Sequence, residues 1–208
     1  MLLAVAILAF IGIEALLFET GAAVMIARVI FGGGSMGWLL VLALFMGVSY
    51  LADRWATSET SKAVQYAGLG IFVLAEAVIF VPLLFIATYY SDDASVLPKA
   101  GIVTLGLFAG ITATVFLTRS DFSFLAPILA IGGFAALGFI VASAIFGFTL
   151  GNVFAFAMVA FAGTSILYQT SNVLHRFNTN QHVAASLTLF ASVALLFWYV
   201  LRIYSGRR

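Results

Sequence analysis

The chain has 208 residues, of which 64% are hydrophobic and only 8% charged. Soluble domains are about a quarter charged, so nine Lys and Arg with eight Asp and Glu are far too few to dress a globule of this size for water. The outer surface must face lipid, and a net charge of +1 offers no basic field for nucleic acid.

A hydrocarbon core of ~30 Å takes about 20 residues of helix. Cutting the chain at its charged and turn-forming residues leaves seven apolar segments, and residues 1–208 read as a single transmembrane domain. The first segment runs from Leu2 to Phe18. No Lys or Arg precedes it and no clear small-residue cleavage site follows, so it is expected to stay as a membrane helix rather than be removed as a signal. Gly21 to Phe31 is interrupted by Arg28 and fits either an interfacial helix or the end of the first hairpin. The GGGS at Gly32 to Ser35 is a turn, with no following Lys to hold a phosphate. The remaining segments run from Gly37 to Ala52, Ala63 to Tyr89, Ala100 to Thr118, Phe122 to Phe148, Val153 to Leu174 and Val183 to Tyr204.

Short polar connectors such as TRSD and HRFNTNQH force neighbouring helices to run antiparallel. The segments are continuously apolar, without the period-two alternation of a membrane β-barrel, so the fold class is all-α. Small residues at Gly106 and Gly110, at Gly132 and Gly133, and at Gly138 and Ala142 predict close helix packing. The cations divide four to five between the two sides (Arg54, Lys62, Arg119, Arg176 against Arg28, Lys99, Arg202, Arg207, Arg208). Such a balance leaves the orientation open.

Polar residues at depth carry the functional reading. Glu76 lies about 14 residues past Lys62, roughly 20 Å along a helix, where an ionised carboxylate is expensive and the neutral form is favoured. It is either a proton- or cation-responsive group or a neutral carboxyl hydrogen-bonded within the protein. Glu14, near the end of the first segment, is a second candidate for a pore or relay, unless it simply reaches the interface. Asp53 and Arg54 sit together at a helix end, as solvated residues do. On the sixth segment Ser165, Gln169, Asn172 and Arg176 share one helix face, with Tyr168 beside them. Thr188, Ser192, Tyr199 and Arg202 form a similar stripe on the seventh. Both stripes must turn toward protein or water, for interhelical hydrogen bonds or for a hydrated path.

There is no cysteine, which removes disulfides and thiolate chemistry. His175 and His182 fall in one short polar stretch and are expected to be connector histidines rather than metal ligands. No HExxH, phosphate loop, GxSxG or closely spaced carboxylate pair is present, so neither an enzyme nor a cofactor is expected.

Three stretches resemble the Bax inhibitor-1 family, particularly its bacterial YccA-like branch. They are ILYQTSNVLHRFNTNQHVAASLTLFASVALLFWYVLRIY at the end, Ala109 to Phe116 with the pattern AxxTAxxF, and Pro82 to Leu84, where Val81 replaces the family's glycine. The resemblance implies a seven-transmembrane-helix bundle with the last helix at its centre. It implies a passive, pH-modulated leak of calcium, protons or other cations, or a stress-protective role, in the inner membrane of a bacterial cell. The alternative is a non-conducting partner: a regulator of a membrane protease, or an accessory subunit of a larger membrane complex. In the family an acidic residue on each of the last two helices forms a proton-sensing pair, and those positions are Gln169 and Ser192 here. Neither an amide nor a hydroxyl titrates near neutral pH, so this latch is expected to be missing.

Overall fold

The computed structural model describes residues 1–58, 61–91 and 93–206; Arg207 and Arg208, counted above, lie outside the described residues. Those described form α-helices and one 3-10 turn, without a strand. The helices are α1 (Leu2–Glu19), α2 (Ala22–Gly32), α3 (Gly34–Ala56), α4 (Lys62–Tyr89), α5 (Val96–Thr118), α6 (Leu125–Phe146), α7 (Asn152–His175) and, after the turn Thr179–Gln181, α8 (His182–Ser205). Seven of them are long and apolar enough to cross a bilayer, and α2, with 11 residues, is not. Large apolar side chains on their outer faces, such as Leu117, Phe134 and Val153, are 85%, 78% and 85% exposed. Such a surface is stable only against hydrocarbon.

Backbone chemistry explains where helices begin and turn. The stretch with Arg28 is a helix of its own. Gly21 (φ +76°) turns the chain out of α1, and Gly33 alone separates α2 from α3, with Gly34 at φ +58°. Glycine takes such left-handed values without a Cβ clash, which is why α3 starts at Gly34 rather than at the expected Gly37. The helix α5 likewise begins at Val96, ahead of the expected Ala100. Pro98 is tolerated in its first turn, where backbone N–H groups have no helical partner anyway. Pro82, inside α4, is different: it cannot donate to the Val78 carbonyl, so the helix is weakened there.

The chain forms two compact units. In the first, made of Met1–Ile86 and Asn178–Phe190, α2 packs against α1 and α3. The buried residues of α1 (Ala6, Phe10 and Glu14) recur every four positions, so one face turns inward while the rest meets lipid. Helices α3 and α4 approach closely at Gly68, where a Cβ would sit 2.6 Å from the Ala52 carbonyl oxygen and 2.8 Å from the Ala56 nitrogen.

In the second unit, Ala87–Phe177 with Ala191–Arg208, α7 packs against α5 and α6. Tyr199 and Ile203 of α8 pack with Ala136 of α6 and with Ala155 and Met158 of α7. Close packing at glycine occurs at Gly132, where a Cβ would meet the Phe161 ring at 3.0 Å, and at Gly163, against Ile111 at 3.3 Å. The expectation for Gly106, Gly110 and Gly138 is not met, since a methyl group on any of them would find nothing within 4 Å. These three are exposed: small-residue spacing alone does not say which helix face finds a neighbour. The Arg202 guanidinium donates to the Leu150 carbonyl at 2.6 Å, which ties the α6–α7 connector to α8.

The helix count yields a direct topological expectation. Single cysteines placed at Ser35, Ser58, Ser95 and Asn178, in a chain with no native thiol, should label from alternating sides of the membrane. Two successive positions labelling from the same side would contradict seven crossings.

Candidate functional site

Two carboxyl groups are buried within membrane helices of the first unit. Glu76 on α4 is 6% exposed and Glu14 on α1 is 7% exposed. Glu14 is thus as enclosed by protein as Glu76. Their surroundings follow from helical spacing. Phe72 and Phe80 lie one turn to either side of Glu76, and Phe10 lies one turn before Glu14, so each pair shares a helix face.

The rings of these phenylalanines form one connected set. Phe10 meets Phe80 edge-on at 5.1 Å and Phe190 of α8 at 6.0 Å, while Phe72 meets Phe190 at 6.1 Å and Phe45 of α3 at 6.2 Å. Each such aromatic contact adds about 0.5–1.5 kcal/mol beyond the area it buries. Both carboxyls thus flank the same aromatic cluster.

Neither Glu14 carboxyl oxygen has a hydrogen-bond partner among the described residues. The one ion pair found among those residues is Lys99 with Asp93, at 2.7 Å on the surface, so neither Glu14 nor Glu76 is neutralised by a Lys or Arg there. An ionised carboxylate in such surroundings is expensive unless a proton, a cation or water offsets its charge. Carboxylate oxygen is also the ligand that hard cations prefer.

Ser165, Tyr168, Gln169 and Asn172 of α7 and Ser192 of α8 form a second, milder polar site in the second unit, whereas Thr188 lies in the first. Ser165 and Ser192 share a hydrogen bond of 2.9 Å. The Gln169 side-chain oxygen accepts from the Asn172 amide at 3.5 Å, within α7. Thus Ser192 meets Ser165, one helical turn before the Gln169 that the family resemblance sets against it. Tyr168 and Thr188 are half-buried, and Asn172 is buried. The Thr188 hydroxyl donates to the Ala185 carbonyl of its own helix at 3.2 Å. Serine and amide dipoles can line a polar path, but they change no charge with pH.

His175 bonds within its own helix, whereas His182 also reaches α4. A His175 ring nitrogen lies 3.0 Å from the Ser171 carbonyl, and His182 contacts the Tyr66 hydroxyl at 3.1 Å and the Thr179 carbonyl at 3.1 Å. Outside the spanning segments, Asp93 is held well below the usual carboxylate range. The hydrogen bond from Lys99 contributes most, followed by those from the Ser95 hydroxyl and backbone N–H. Asp121 is lowered mainly by the Ser123 backbone N–H.

Two features escape sequence reasoning. The aromatic cluster was signalled only by phenylalanines four residues from Glu76 and Glu14, a spacing common in any apolar helix. Ser171, fully buried, accepts from the Phe122 backbone N–H at 2.9 Å and donates to the Ser120 carbonyl at 3.4 Å. It fastens the α5–α6 connector to α7, although it lies off the stripe singled out above.

Comparison with known proteins places these observations in a wider group. Residues 1–208 match the family described as "Inhibitor of apoptosis-promoting Bax1". An uncharacterized protein of Pseudomonas aeruginosa is 29% identical over 166 residues, covering 79% of this chain and 72% of the relative. Bax inhibitor 1 of Schizosaccharomyces pombe is 28% identical over 175 residues, covering 80% of this chain and 61% of the relative. The Golgi anti-apoptotic protein of vaccinia virus (strain Lister) is 28% identical over 138 residues, 64% of this chain and 54% of that protein. No solved structure matches.

Proposed function

The chain belongs to the Bax inhibitor-1 family of membrane proteins, and on that premise we propose that it is a passive cation leak whose response to protons rests on Glu14 and Glu76. The observation that carries this reading is the pair of carboxyls buried beside one aromatic cluster, with no Lys or Arg neutralising either among the described residues. At the family's acidic positions Gln169 and Ser192 supply only neutral dipoles. A proton-responsive element in this chain therefore needs other groups, and buried carboxyls are the residues able to exchange a proton for a metal ion. Calcium is the cation in question, the bacterial inner membrane its setting and protection from ionic stress its use.

Purified full-length protein in liposomes, loaded with a calcium-sensitive dye, tests the leak. Calcium should equilibrate faster than across protein-free vesicles of the same lipid, without any energy source. Flux equal to that of empty vesicles would remove the leak and favour a non-conducting role, such as regulation of a membrane protease or membership of a larger complex.

A further inference from the structure

We propose that the first unit binds one anionic phospholipid, with an acyl chain in a groove between α2, α3 and α4 and the headgroup on Arg28. The groove has a volume of about 610 Å³ and is walled by side chains such as Met25 and Val29 of α2, Leu44 and Phe45 of α3, and Leu74 and Val78 of α4. Its walls are apolar throughout. Water gains nothing there, whereas hydrocarbon loses nothing.

Along α4 the lining extends from Ile71 to Ile79, which is ~12 Å of helix. One leaflet of a ~30 Å hydrocarbon core is about 15 Å deep, so the groove suits a chain lying in a single leaflet. One end of it is marked by α2. Ala23 and Ala27 of that helix pack with Val81 and Phe85, in the last turns of α4, beyond the Ile79 end of the lining. A chain in the groove would therefore run from α2 toward the middle of α4.

Arg28 supplies the charge. It lies one turn from Met25 and next to Val29, at the rim of the lining face. The residue is exposed and has no ion pair among the described residues. A guanidinium at this rim is matched by a phosphate carrying net negative charge, which it can hold through two parallel hydrogen bonds. A zwitterionic headgroup offers the same phosphate beside a competing cation. This charge complementarity selects an anionic lipid rather than any lipid, whether or not the chain conducts.

The test uses full-length protein in detergent, presented with phosphatidylglycerol or phosphatidylcholine of identical acyl chains, and counts retained lipid by native mass spectrometry. The native chain should keep one phosphatidylglycerol about fivefold more strongly than phosphatidylcholine, the effect of one basic residue on an anionic headgroup. Arg28→Gln should erase the preference and Arg28→Lys should retain much of it. Val78→Phe, at a half-exposed lining position, should lower retention of both lipids while leaving the size-exclusion profile unchanged. Equal retention by the native chain, an unchanged preference in Arg28→Gln, or full retention in a folded Val78→Phe would each overturn the proposal.

Discussion

Gly68→Val should destabilise the chain by about 3 kcal/mol, the upper end of the usual cost of overpacking. Three contacts fix that size: a Cβ at this position would lie 2.6 Å from the Ala52 oxygen, 2.8 Å from the Ala56 nitrogen and 2.9 Å from the Trp55 Cβ. Two of the three are backbone atoms, which cannot swing aside as a flexible side chain would. Relief therefore requires α3 and α4 to separate, and separation strips contacts from both helices. Gly70→Val on the same helix is the control, because nothing lies within 4 Å of a Cβ there. Thermal unfolding in one detergent should show a large loss for the first variant and little change for the second. Equal melting of the two would mean that the close approach of α3 and α4 does not hold the fold.

Ser171→Val should cost a similar ~3 kcal/mol, from two sources. The Phe122 N–H and the Ser120 carbonyl lose their partner, and a buried polar group left unsatisfied costs about 1–3 kcal/mol. The larger side chain must also fit a site with no exposed surface, which adds an overpacking strain. Ser171→Ala removes the hydrogen bonds without adding volume, so its loss should be roughly half as large, about 1–2 kcal/mol. Thermal unfolding ranks the two variants, and proteolysis of the connector at residues 119–124 should quicken in both. A connector no more sensitive than in the native chain would show that Ser171 does not anchor it.

These two residues also mark where the sequence stops informing. Seven long apolar runs are plain in the composition, because a bilayer demands about 20 uninterrupted apolar residues per crossing. Glu76 is conspicuous for the same reason, as a charge-bearing group far from any break. Glu14 is ambiguous, since it lies near a helix end and its burial depends on packing from other elements, which no local pattern encodes. Helical periodicity puts Ser165 and Gln169 on one face of α7, yet only the packed register decides that Ser192 meets the first of them. Glycine misleads in both directions. Gly106 and Gly110 have the spacing of a packing motif and meet nothing, whereas Gly68 has no such spacing and sits at a close approach between α3 and α4.

Calcium flux into liposomes, measured from pH 5 to pH 8, tests most directly whether Glu14 and Glu76 are the proton-responsive groups. Ionised carboxylates draw a divalent cation and protonated ones do not, so flux through the native chain should rise with pH. Glu14→Gln combined with Glu76→Gln keeps size and hydrogen-bonding capacity while removing ionisation, and this double variant should leak slowly and equally at every pH. Replacing both histidines with glutamine, His175→Gln and His182→Gln, should leave the native profile in place. A double glutamate variant that keeps the native rise with pH would contradict the account.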